Sequence, residues 1–175
     1  MITSFKELND FLINHLSDIN IKKPLPGLRV YLGNGYPNNN PDYFENVISK
    51  ACKTFENYFN SDDTIYLLIV EYKYKKRRIH ANNYIFKQIT GLKKENVTYS
   101  KIKNLYSNDK DDVFNRALLK TKVQNINYRN IFKAISYTDF PLGMPESRKE
   151  IHFINIDKKV ALHMHDDRGM DIFTI

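Results

Sequence analysis

The sequence predicts an α+β fold in a single domain: a mixed, mainly antiparallel sheet with helices packed chiefly on one face, ending in a three-stranded β-meander. Three observations predict it. The stretch Ile151–Ile175 holds three short apolar runs, Ile151–Ile156, Val160–His165 and Met170–Ile175, punctuated by Asp157-Lys158-Lys159 and Asp166-Asp167-Arg168-Gly169. Ile65, Leu67, Leu68, Ile69 and Val70 form a near-continuous apolar run, the pattern of a central strand covered on both faces. In separate windows apolar residues recur at helical spacing. With 175 residues and no internal repeat or low-complexity tail, the chain reads as one domain over 1–175. That length buries about two-thirds of the unfolded surface in one core.

The elements follow in order. Ser4 and Glu7 make a capping-box pattern, and Phe5, Leu8, Phe11, Leu12, Leu16 and Ile19 share one face of a first helix. Pro24 and Pro26 break it, and Leu28–Leu32 reads as a short strand. Gly33 to Asn40 is rich in turn residues; Asn40 as N-cap and Pro41 at the first helical position then open a helix running to about Phe59. That helix buries Phe44, Val47, Ile48, Ala51, Cys52, Phe55 and Phe59, and Ser61-Asp62-Asp63 ends it. The central strand spans Thr64–Tyr74. A short helix is expected within His80–Gly91, and strands over Val97–Tyr106 and Val113–Val123. Asn127 caps a helix over Tyr128–Tyr137 with Ile131, Phe132 and Ile135 inward; Phe140–Glu146 then leads into the meander.

Composition narrows the function classes. Cys52 is the only cysteine, so no intramolecular disulfide forms, which fits a reducing compartment. The opening residues lack a signal pattern and no run approaches membrane-spanning length, so a cytoplasmic protein with no membrane partner is expected. The formal charge of +7 is uneven: Lys73 to Lys122 holds fourteen Lys/Arg against four Asp/Glu, which leaves the remainder slightly acidic. A basic middle suggests an anionic partner, such as nucleic acid or an acidic protein face.

Four features invite a chemical reading. His163 and His165 alternate onto one strand face beside Asp166 and Asp167, donors that suit zinc; His152 reaches the same face only from the neighbouring strand, and His15 and His80 follow no ligand spacing. A hydrogen-bonded structural hairpin accounts for the same residues, and no metal or other cofactor is assigned. Gly33-Asn34-Gly35 before a helix resembles a phosphate cradle but lacks the third glycine of a dinucleotide site and the Gly-Lys-Ser/Thr of a P-loop. It reads as a flexible connecting loop. The run Tyr72-Lys73-Tyr74-Lys75-Lys76-Arg77-Arg78 interleaves cations with rings that can stack on bases, or it is a solvated strand end. Cys52 lies on an apolar helix face, where a thiol is inert. No catalytic set emerges.

The second turn of the meander has its own logic. Asp166 suits the first position of a turn, accepting a hydrogen bond from the turn's backbone, and Gly169 suits a left-handed position after it. This makes a three-residue loop with a bulge, its Arg168 held by Asp166, Asp167 and Asp171. The run HMHDDRGMDIFTI, preceded by IHFINIDKK, resembles an uncharacterised bacterial family defined by a short C-terminal domain with a DDRG motif. The likeness covers roughly the last 45 residues. Asp166, Asp167, Arg168 and Gly169 match the motif, whereas His165 stands where Tyr precedes it in relatives. The resemblance implies a bacterial origin and the closing hairpin, and supplies no activity.

Small size, aromatic richness with 12 Tyr and 11 Phe, and no catalytic set point to a non-enzymatic binding protein. The expected function is an immunity protein that neutralises a cognate toxin in a 1:1 complex, with Tyr and Arg as natural hot spots. Toxins that act on nucleic acid tend to be basic. The contact is therefore expected on the basic run, if the toxin offers an acidic face, or on the remainder that includes Asp62, Asp63 and the DDRG hairpin. The alternative is a small RNA-binding protein using residues 73–78.

Overall fold

The structure, a computed structural model, describes residues 27–33, 42–72, 84–103, 113–140 and 145–174. In chain order these form β1 (Gly27–Tyr31), α1 (Tyr43–Glu56), β2 (Thr64–Tyr72), the single turn α2 (Tyr84–Lys87), β3 (Val97–Lys103), β4 (Val113–Lys122), α3 (Tyr128–Ser136), β5 (Glu150–Asn155), β6 (Val160–Met164) and β7 (Gly169–Thr174). Short 3₁₀ turns at Lys94–Asn96 and Val123–Asn125 flank β3 and β4. The seven strands make one sheet in the order β1-β7-β6-β5-β2-β4-β3. Every pairing among them is antiparallel, so the sheet is not mixed.

The apolar run of β2 sits between β4 and β5, with Leu67 opposite both Leu119 and Phe153. Side chains alternate across a strand, and here both sets are buried. Ile65, Leu67, Ile69, Leu119, Ile151, Phe153, Leu162, Met170 and Ile172 join the buried faces of α1 and α3 in one hydrophobic cluster. On the opposite face Leu68, Val70, Leu118, His152, Ile154, Ala161 and His163 are buried as well. The interior strands are thus covered on both faces, as their unbroken apolar pattern requires.

Phe55 of α1 is the centre of the cluster. Its ring stacks on Phe59 at 4.5 Å and on Tyr128 at 4.6 Å, and meets Phe132 and Phe153 edge-on at 5.8 and 5.0 Å. Polar ties fix α1 against α3: the Tyr128 hydroxyl donates to Glu56 at 2.8 Å, and Arg129 pairs with Glu45. Asn127 caps α3 through its side-chain oxygen, which accepts from the Asn130 amide at 3.2 Å.

The expected boundaries shift in three places. Asn40 and Pro41 lie outside the described residues; α1 begins at Tyr43, with the Asp42 carbonyl accepting from the Asn46 amide. It ends at Glu56, yet Phe59 still reaches the core through one more turn closed onto Phe55. The helix expected within His80–Gly91 is a single turn in its described part, released by Gly91 at φ 71°. The first helix, at 4–19, falls outside the described residues. No helix among them is long and apolar enough to cross a membrane.

Candidate functional site

The β6–β7 hairpin is built from its own acids. The loop is Asp166-Asp167-Arg168, closed by the His165 amide donating to the Gly169 carbonyl at 3.0 Å. Asp166 uses one carboxylate oxygen to accept from the Arg168 amide at 2.8 Å and the other to accept from the Arg168 Nε at 2.9 Å. This carboxylate lies below its ordinary pKa; burial opposes the shift, and the bonds from Arg168 overcome it. The Arg168 side chain is held in one direction while 75% exposed. Gly169 does not take the left-handed conformation expected of it: it already belongs to β7, opposite Tyr31. The side chain of Asp166 turns the loop, so the backbone has no need of a left-handed residue there. In the preceding turn it is Lys159 that adopts positive φ, at 54°.

The three acids around Arg168 part ways. Only Asp166 bonds to it. Asp167 turns inward, 4% exposed, and accepts from the Tyr43 hydroxyl of α1 at 2.7 Å. Burial first, and this bond second, push the Tyr43 phenol up to about 12. Asp171 bonds His165 Nε2 at 2.7 Å and pairs with Arg29 Nε at 3.2 Å. Gly33 lies under the Tyr43–Asp167 bond: a Cβ there would overlap the Tyr43 hydroxyl and come within 2.9 Å of the Asp167 carbonyl oxygen. Gly33, read from the sequence as the start of a flexible connecting loop, is therefore a close-packing position; Asn34 and Gly35 lie outside the described residues.

The histidines do meet. His152 faces His163 across β5 and β6 with ring centroids 4.3 Å apart, and His165 meets His163 edge-on at 4.4 Å. No group of three His, Cys, Asp or Glu among the described residues is arranged to hold a metal. Burial, then the charge of His165, pulls His152 down to about 4; burial also holds His163 well below its ordinary value. Both are neutral at physiological pH.

Beside this row a cavity of about 710 Å³ opens between the exit of α3 (Thr138, Asp139, Phe140), the entry to β5 (Glu146 to Glu150) and His163 and His165. Polar groups brace its walls. Thr138 Oγ1 donates to the Ser147 carbonyl at 2.7 Å, and the Ser147 amide donates to the Ala134 carbonyl at 2.9 Å.

A family model described as a domain of unknown function matches residues 5–175. The chain belongs to the DUF3885 family. That match covers nearly the whole sequence, well beyond the terminal stretch that suggested a relationship. No curated protein and no solved structure matches the chain.

Elsewhere in this DUF3885 domain, other sequence candidates find structural roles. Asp63 accepts from the Asn60 amide at 2.8 Å and pairs with Lys158 at 2.6 Å, which ties the α1–β2 turn to the first meander turn; Asp62 stays exposed. Cys52 is 7% exposed on the buried face of α1, and burial pushes its thiol up. Tyr72 closes β2, and residues 73–78 of the basic run lie outside the described residues. Sequence reasoning missed Tyr43 and the lining residues Asp139 and Glu150, and it read Gly33 as loop without its packing against Tyr43. Tyr43 showed only as one more ring at a helix start, and nothing local links it to Asp167.

Proposed function

We propose that this chain is a non-enzymatic binding protein, an immunity protein that neutralises a cognate bacterial toxin by 1:1 capture. The observation that carries this reading is the corner formed by β1 and the β6–β7 hairpin. Tyr31 is 68% exposed at the end of an edge strand, Leu28 is 58% exposed on the same strand, and the Leu32 amide bonds the Arg168 carbonyl at 2.9 Å. The backbone of Arg168 thus borders the end of β1, and Arg29, two residues before Tyr31 and on the same strand face, is half-exposed. Exposed Tyr and Arg on a rigid base are the side chains that carry binding energy at protein interfaces, because little conformational freedom is lost when they are covered. Asp166 fixes Arg168, and the buried Tyr43–Asp167 bond anchors the loop beneath it.

The experiment is co-expression with the toxin encoded by the adjacent reading frame, scored by growth and co-purification. The wild-type chain restores growth in a stable 1:1 complex, and Tyr31→Ala with Arg168→Glu loses both. A harmless neighbour and no complex would remove the reading. Unchanged capture by the double variant would move the contact to the basic run, which Lys75→Glu, Lys76→Glu, Arg77→Glu and Arg78→Glu then test.

A second reading, RNA binding, is favoured by one observation at the opposite edge. The Lys120 ammonium lies 5.5 Å from the Tyr66 ring centroid, with exposed Lys122, Lys101 and Tyr99 on the neighbouring stretches. It requires affinity for single-stranded RNA that falls steeply with salt; flat or absent binding eliminates it.

A further inference from the structure

We propose that Arg116 is the seat of a ligand carboxylate, which its guanidinium holds side-on, on the face of the sheet opposite the cluster of α1 and α3. This goes beyond partner capture and does not depend on it.

Arg116 lies on β4 between Val70 of β2 and Ser100 of β3. Side chains two apart on a strand share a face, so Phe114 and Leu118 flank it, and both of these and Val70 are buried. Arg116 itself is only 8% exposed, and its Nε is out of solvent and meets no acceptor. The other described arginines, Arg29, Arg129, Arg148 and Arg168, are more exposed, and each pairs with a carboxylate. Even Lys149, whose side chain is 10% exposed, is drawn to Glu71 at 3.6 Å. Glu150, which follows Val70 in the same cross-strand row, is engaged elsewhere, with His152 at 4.0 Å among its contacts. The most deeply buried arginine is thus the one that has no counter-charge among the described residues.

Burying a charge without a partner opposes folding. Burial lowers the pKa of Arg116, yet a guanidinium keeps its proton at every physiological pH, so the cost is not escaped by neutralisation. An apolar residue of similar volume would make the free chain more stable here. A ligand that brings the missing negative charge removes the penalty, and that relief becomes binding energy. The orphaned atom also sets the shape of the ligand. Nε–H and the terminal N–H on the same side are two parallel donors, the fork that meets both oxygens of a carboxylate. One guanidinium balances one negative charge; a phosphate dianion would leave a second charge unanswered among apolar neighbours. Because β3 is an edge strand, only half-buried Ser100 and exposed Thr98 lie on this face between β4 and the rim of the described sheet. Both are small, and an approach over them suits a small acid or a single acidic side chain.

The test uses the full chain and follows the Nε–H resonance of Arg116, identified by its loss in Arg116→Met. Acetate, N-acetyl-glutamate methylamide, phosphate and chloride are titrated at constant ionic strength. Acetate is expected to shift the resonance and saturate, chloride to leave it in place, and phosphate to bind about tenfold more weakly than acetate. A response to acetate alone assigns the site to free acids, and an equal response to the glutamate probe extends it to an acidic side chain; either supports the inference. Acetate is also expected to raise the urea midpoint of the wild-type chain, because it binds the native state alone, and to leave that of Arg116→Met where it is. Arg116→Lys, which keeps the charge and loses the fork, is expected to weaken the acetate effect about tenfold, the size of one lost charge-assisted hydrogen bond. In chloride, Arg116→Met unfolds at an equal or higher urea concentration than the wild type. A lower midpoint for that variant would make Arg116 a support of the fold and overturn the inference. So would the absence of a saturable shift with acetate in the wild-type chain, or the same shift with chloride.

Discussion

The Tyr43 hydroxyl donates to the buried carboxylate of Asp167 across 2.7 Å, joining the start of α1 to the tip of a hairpin 124 residues later. This bond makes the DDRG loop part of the core and not an appendage. Removing the donor leaves a charge buried without its partner, which costs more than the bond itself contributes. Tyr43→Phe is therefore expected to lower unfolding free energy by about 1–3 kcal/mol. Asp167→Asn, which retains an acceptor without the charge, loses less. Urea titration of both variants and their double mutant checks the coupling; additive losses would show that the two residues act independently.

Gly33 tests the same region sterically. Because a Cβ there overlaps the Tyr43 hydroxyl and lies 2.8 Å from its Cζ, Gly33→Ala forces the ring or the hairpin to move. A loss of about 1–3 kcal/mol is expected, as for other overpacked sites. Tyr43→Phe in the same chain relieves only part of it, since Cζ remains. Full stability of the single alanine variant by thermal melting would contradict the packing described.

The histidine row predicts an acid sensitivity. His152 has its folded pKa pulled from 6.5 down to about 4, so between these values the unfolded chain binds a proton the native chain refuses. Stability is then full above pH 6.5, falls as pH drops through that window, and levels off below about 4. His163 shifts in the same direction. For His152 alone the total is on the order of 3 kcal/mol. His152→Phe keeps a stacked ring against His163 and is expected to flatten the slope of unfolding free energy between pH 6.5 and 4. An unchanged slope would place the acid sensitivity elsewhere.

Phe55 joins both helices to the sheet through four aromatic contacts. Phe55→Ala opens a cavity that rigid neighbours from three elements cannot close. A loss of about 3–5 kcal/mol is expected from chemical denaturation. The smaller loss expected of Phe59→Ala, at the ragged end of α1, gives the comparison.

What the sequence made legible was local. Short apolar runs between turn residues placed the meander, the unbroken apolar run of β2 announced burial on both faces, and Asn127 was visible as a cap because capping is settled within three residues. Gly169 misled, because an aspartate side chain and a left-handed glycine are two solutions to the same turn, and the loop uses the first. The site was legible only in part. His163 and His165 share a face by alternation, but the approach of His152 depends on strand register, and the cavity needs the exit of α3 to pass the hairpin. Neither long-range fact leaves a mark on the spacing of residues.

The pairing of β1 with β7 bears on how this protein is made. Gly27 finds its partner in Phe173, so β1 leaves the ribosome early and waits while the other described strands are synthesised. During that interval an apolar-rich ribbon carrying Leu28 and Tyr31 has unmet backbone groups, a template for unwanted pairing between nascent chains. The corner proposed to seize the toxin therefore waits, among the described strands, for β7. A polypeptide stalled before Gly169 would lack that corner, so the proposed capture surface would form only after β7 has been made.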